Sequence, residues 1–162
     1  MKENKTLSGS QTVTLIILRV LIGWQILYEG ISKLINPGWS SYGFLNESKW
    51  ILAGFADWVI SNKGMLHLVD ILNVWGLIAI GLGLLIGLFS RYAAISGAIL
   101  LFIYYLCNPP LIGLEYSMPS EGSYLIINKT LIESAALVVI AVFSNHLEFG
   151  LESFIAYFKR KQ

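Results

Sequence analysis

Hydrophobic and polar positions fall into long blocks along this chain. Four apolar stretches, roughly Thr12 to Ile35, Val69 to Phe89, Tyr92 to Asn108 and Leu125 to Phe143, are divided by polar connections. Each approaches the length of about 20 helical residues that the hydrocarbon core of a bilayer requires. A closed β-barrel is the other structure that satisfies its backbone in lipid, but these runs show no two-residue alternation. The pattern therefore predicts an all-α membrane protein, a four-transmembrane-helix up-and-down bundle forming one domain over residues 1–162.

The connections refine that picture. The third run stops at Pro109 and Pro110, where a helix cannot continue. Between the second and third runs only Ser90 and Arg91 are clearly non-apolar, which predicts a tight hairpin. Between the first and second, Ser48 to Ser61 reads as an amphipathic interfacial helix with Trp50 and Trp58 at headgroup level. Gly83 with Gly87, and Ala93 with Gly97, form small-residue pairs at four-residue spacing that favour close helix packing.

Composition agrees with lipid as the solvent. Of 162 residues 56% are hydrophobic and 13% charged, against about 25% charged in a soluble domain. A net charge of +1 gives no electrostatic footprint for nucleic acid. Cys107 is the single cysteine, which excludes an internal disulfide, a CxxC pair and a multi-cysteine metal site. Arg19 interrupts the first apolar run and no small-residue cleavage site follows before Glu29, so this run is expected to be a retained span. Lys2, Lys5, Arg91, Lys159, Arg160 and Lys161 fall on one side of the predicted membrane, and Lys33, Lys49, Lys63 and Lys129 on the other with most of the carboxylates. The positive-inside rule then places both termini and the Arg91 turn in the cytoplasm.

Ionisable residues inside a membrane cost about 2.5–3.5 kcal/mol or more at a helix centre, so they are paired, face a cavity or serve a function. Glu29 and Lys33 share a face of the first span in the favourable acid-before-base order. Arg19 lies ten residues earlier, about 15 Å deeper. The second span opens with Asp70 and Asn73, the fourth with Lys129 and Glu133. Up-and-down topology brings Glu29, Lys33, Asp70, Asn73, Lys129 and Glu133 to one membrane face, either as interfacial ion pairs that lock the bundle or as a site. An aromatic belt accounts for most tryptophans, whereas Trp24 and Trp75 lie within spans near Glu29 and Asp70 and are expected to wall a pocket for a flat lipophilic ring. His67 and His146 have no nearby ligand set, so no metal or haem site is expected. Asn46-Glu47-Ser48 and Asn128-Lys129-Thr130 match a glycosylation sequon, a pattern short enough to arise by chance.

Four stretches carry a family resemblance: RVLIGWQILYEGISKL from Arg19, LVDILNVWGLIAIGLGLLIGLFSR from Leu68, YYLCNPP from Tyr104 and EGSYLIINKTLIE from Glu121. Taken in order, they resemble the DoxX/DoxD family of four-helix bacterial and archaeal membrane proteins, most closely its DoxD-like branch, the membrane subunit of thiosulfate:quinone oxidoreductase. The resemblance implies a bacterial cytoplasmic (inner) membrane location and a role in passing electrons from a small sulfur compound such as thiosulfate to the quinone pool. It also implies a second protein subunit, since the related oxidoreductase is built from two kinds of chain. On this reading quinone is a substrate, and Glu29, Lys33, Asp70, Lys129 and Glu133 are the candidate catalytic residues. Arg19, Trp24, Asn73, Trp75 and Tyr105 are the candidates for substrate or quinone binding. The sequence shows no flavin, haem or iron–sulfur ligands of its own. A non-enzymatic scaffold that recruits a periplasmic protein is the alternative, and a transporter ranks last because four short spans leave little room for a solute path.

Overall fold

The computed structural model describes residues 7–114, 116 and 125–144. Six helices follow one another with no strand among the described residues: α1 (Gly9–Leu34), α2 (Tyr42–Asn46), α3 (Ala53–Ser61), α4 (Lys63–Ile86), α5 (Ser90–Cys107) and α6 (Lys129–Phe143). Three of the four long helices, α1, α4 and α6, start where a side chain takes up orphan amides; α5, which follows Phe89, has no such side-chain cap. Ser8 and Gln11 form a reciprocal capping box on α1. Asn62 accepts from the amides of Gly64 and Met65, so α4 begins at Lys63, several residues before the apolar run. Asn128 does the same for the amide of Leu131 at 2.9 Å, and α6 therefore starts at Lys129, later than the apolar run that opens at Leu125. The Asn128 side chain is thus a helix cap.

Three helices, α1, α4 and α5, are long and apolar enough to cross a membrane. Together they make this a multi-pass membrane protein. α6 has 15 residues and spans about 22 Å, shorter than a hydrocarbon core of about 30 Å. The expected interfacial helix is also shorter than Ser48–Ser61. Ser48 Oγ donates to the carbonyl of Cys107 at 3.0 Å, which ties this stretch to the end of α5, and regular helix resumes only at Ala53.

α1 packs along α4, and α5 along α6, giving two antiparallel pairs that share one apolar core. Ile26, Leu77, Leu84, Leu137 and Ile140 are at its centre, each 2% exposed or less. The closest backbone approach is at Gly81, where a Cβ would lie 2.6 Å from the amide nitrogen of Leu27. This glycine, outside the small-residue pairs singled out in the sequence, sets the α1–α4 distance. Gly87 ends α4 in the left-handed region at φ 72°, as a C-terminal glycine commonly does, and Phe89 follows at φ 52°. That second left-handed residue carries a side chain, so the hairpin into α5 stores backbone strain of about 1–2 kcal/mol. A satellite cluster of Leu45, Ala56 and Val59 fastens α2 and α3 over the start of α4.

Candidate functional site

The ends of α1 and α5 and the beginning of α4 meet at the membrane face opposite the Arg91 hairpin. Lys33 stands in the last turn of α1, where the helix macrodipole favours a cation. Its Nζ lies 2.8 Å from Oε1 of Glu29, one turn back, and donates to Oδ1 of Asn73 on α4 at 3.0 Å. Asn73 Nδ2 donates in turn to the hydroxyl of Tyr104 on α5. One line of polar contacts thus joins three helices. The same ammonium sits 4.9 Å from the centre of the Trp39 ring and 5.5 Å from that of Tyr104, within cation–π range. Phe44 meets Tyr104 edge-on with ring centroids 5.5 Å apart.

These side chains, with Ser40 and Ser41, line a cavity of about 210 Å³. Its two charges are unequally placed: the Lys33 side chain is 15% exposed and that of Glu29 is 41% exposed. The ammonium is sheltered, and the carboxylate is partly exposed. Among the described residues Glu29 and Asn73 engage two of the three N–H donors of Lys33, which leaves the third for a ligand.

Asp70 shapes the cavity without lining it. Its carboxylate accepts from Ser40 Oγ at 2.9 Å and from both the amide (2.8 Å) and the hydroxyl of Ser41. These bonds pin the connection after α1 and so hold Trp39 over Lys33. Three donors on one carboxylate make Asp70 an anchor for this connection.

A second polar contact lies deeper between α1 and α6. Gln25 Nε2 donates to Glu133 Oε1, and Glu133 is in electrostatic range of both Lys129 and Glu29. Gln25, Glu29 and Lys33 recur every four residues, so one stripe of α1 carries the contact to Glu133 at one end and the cavity at the other. Of the six residues expected at one face, Glu29, Lys33 and Asn73 come together. Asp70 is at the rim, and Glu133 with Lys129 forms a neighbouring group.

Four expected binding residues lie elsewhere. Trp24 and Trp75 are 63% and 58% exposed on the outer surface, so neither walls the cavity. The buried face of α1 runs through Ile22, Gly23, Ile26 and Gly30, and that of α4 through Val74, Leu77, Ile80 and Leu84, which turns both tryptophans outward. Tyr105 is buried but donates its hydroxyl to the carbonyl of Ile126, just ahead of α6, and its neighbour Tyr104 faces the cavity instead. Arg19 is buried at 4% exposure but lies ten residues before Glu29, about 15 Å along α1. The cavity residues that sequence reasoning missed are Trp39, Ser40, Ser41, Phe44 and Tyr104; Gln25 was legible from its four-residue spacing to Glu29. Among the described residues no three His, Cys, Asp or Glu side chains form a metal-binding group.

A family model described as DoxX matches residues 14–107. That stretch contains every residue lining the cavity. No curated protein and no solved structure matches the chain.

Proposed function

The chain belongs to the DoxX family, and from that premise we propose that it is the membrane subunit of a quinone-linked oxidoreductase of the DoxD-like type. The observation that carries this reading is a sheltered ammonium inside an aromatic cavity at the end of the bundle. A quinone head is a flat ring with carbonyl acceptors at opposite edges. Trp39, Phe44 and Tyr104 offer faces and edges to the ring, and the remaining N–H of Lys33 can donate to a carbonyl oxygen.

Reduction of a quinone to a quinol consumes two electrons and two protons. The electrons come from a small sulfur compound such as thiosulfate, delivered through a second subunit. The protons come from water through Glu29, whose exposed carboxylate touches the ammonium. Lys33 also stabilises the negative charge that develops on the carbonyl oxygen before it is protonated. In this reading α6 completes a fourth span, α2 and α3 lie at the interface, and both termini are cytoplasmic.

A scaffold role has its own support. Ile51, Phe55 and Trp58 are 66%, 55% and 52% exposed, and the last two rings pack at 5.9 Å. Such a face suits either the headgroup region or a periplasmic partner.

Tryptophan quenching tests the cavity. Titrating the purified protein with a short-chain benzoquinone should quench a saturable component that Trp39→Phe removes. Quenching that survives in Trp39→Phe and disappears in Trp24→Phe would move the quinone to the outer surface and defeat the proposal.

A further inference from the structure

The residues that roof the Lys33 cavity belong to a short strap between two helices. α1 ends at Ile35, whose amide bonds back to the carbonyl of Ile31, and α2 opens at Tyr42. Between them residues 36–41 fold into a turn of their own. The carbonyl of Asn36 accepts from the amide of Trp39 at 3.0 Å, and its side chain accepts from the amide of Gly38 at 3.2 Å. These bonds are internal, so the strap keeps its shape without help from the bundle. Asn36, Pro37 and Gly38 are exposed, and of the six residues only Ser41 is buried, at 4% exposure.

The hold of the bundle on this strap is concentrated in one side chain. Among the described residues, every hydrogen bond that ties residues 36–41 to α4, α5 or α6 ends on the Asp70 carboxylate. The other attachment is the Trp39 ring, whose centre is 4.9 Å from the Lys33 ammonium. α2 is fixed separately, since Leu45 is buried in a cluster with Ala56 and Val59. An exposed segment fastened at one point between two anchored helices opens locally at a lower cost than the bundle unfolds. The cavity beneath it measures about 210 Å³, below the range of about 300–1,000 Å³ common for small-molecule sites. A ligand of ordinary size therefore needs the roof to lift.

We infer that residues 36–41 are a lid over the Lys33 cavity and that Asp70 is its latch. The structure holds the lid closed, with the ammonium sheltered under Trp39. Opening about the end of α1 and the start of α2 breaks the bonds from Ser40 and Ser41, carries Trp39 off Lys33 and admits a ligand from this membrane face. The lid rests on the geometry of the roof and holds whatever the cavity binds, so its test uses no quinone.

Thiol labelling of the full chain in mild detergent decides it. Ser41→Cys puts a thiol at the latch, Phe44→Cys puts one beneath the roof, and the native Cys107, 2% exposed, reports loosening of the bundle itself. Each protein is treated with iodoacetamide, and the rate at each cysteine is read by peptide mass spectrometry. Adding Asp70→Asn should speed the reaction at positions 41 and 44 about tenfold, the effect of exchanging charge-assisted bonds for neutral ones, with Cys107 unchanged. Trp39→Leu, which releases the other attachment, should raise both rates by a smaller factor. Ser40→Cys takes the place of Ser41→Cys if the latter does not fold, and Trp39→Leu becomes the deciding variant if Asp70→Asn does not. Rates at 41 and 44 that neither substitution changes, a rise at 41 without one at 44, or an equal rise at Cys107 would each overturn the inference.

Discussion

Neutralising Lys33 separates the stability of the bundle from the chemistry of its cavity. Lys33→Met keeps the apolar stem and removes the charge. The charge-assisted bond to Asn73 contributes about 1.5–3 kcal/mol. The contacts with Trp39 and Tyr104 add about 0.5–1 kcal/mol each. The ion pair with Glu29 adds about 0.5–1 kcal/mol, because a carboxylate 41% exposed is screened by water. Asn73 keeps its bond to Tyr104, so part of this is recovered, and a net loss of about 2–4 kcal/mol is expected. Glu29→Gln should cost about 1 kcal/mol. The coupling between the two changes should then be about 1 kcal/mol, against about 3–5 kcal/mol for breaking a fully buried pair. Unfolding in mixed micelles, followed by circular dichroism, measures all four corners of the cycle, and quinone reduction with the partner subunit is compared at equal amounts of folded protein. Glu29→Gln and Lys33→Met should each lower that activity while leaving membrane insertion intact, and the double variant should fold yet stay inactive. A coupling of 3 kcal/mol or more, or activity restored in the double variant, would reduce the pair to a clasp between helices and refute the reasoning.

Other expectations follow from the same geometry. Asp70→Asn weakens the hold on Ser40 and Ser41, so quinone should bind less tightly while the helical content stays unchanged, as binding and circular dichroism together will show. Tyr104→Phe should weaken quinone binding, whereas Tyr105→Phe should instead lower stability by about 1 kcal/mol through the lost bond to Ile126, a difference that binding and unfolding measured side by side will expose. Gly81→Ala drives a methyl into the backbone of Leu27 and should cost about 1–3 kcal/mol in unfolding experiments. In a Cys107→Ser background, Trp58→Cys should react with an impermeant thiol reagent outside the cell and Arg91→Cys should not; the reverse pattern would invert the assigned topology.

The parts of this structure that one-dimensional patterns encode were legible in the sequence. Apolar length marked the three membrane-crossing helices, and four-residue spacing marked Glu29 with Lys33. Antiparallel order then brought Asn73 to them. The roof of the cavity was not legible, because Trp39 is held by bonds from Ser40 and Ser41 to Asp70, some thirty residues away, and no local signal records such a contact. That Tyr104 faces the cavity while Tyr105 bonds to Ile126 was not legible for a different reason. Adjacent helical residues differ by about 100° in direction, and α5 is apolar on every side, so its phase had no polar face to fix it. Trp24 and Trp75 show the converse case: each is near Glu29 or Asp70 in sequence, yet both side chains lie on the outer surface.

Quinone content is the most direct measure of the central claim that the Lys33 cavity holds a quinone head. The protein is purified in mild detergent and its quinone extracted and quantified per chain, alongside Lys33→Met, Trp39→Ala and the outer-surface control Trp75→Leu. The cavity predicts about one quinone per chain, retained in Trp75→Leu and lost in the other two. Absence of quinone from the unmodified protein, or equal retention in all four, would contradict it.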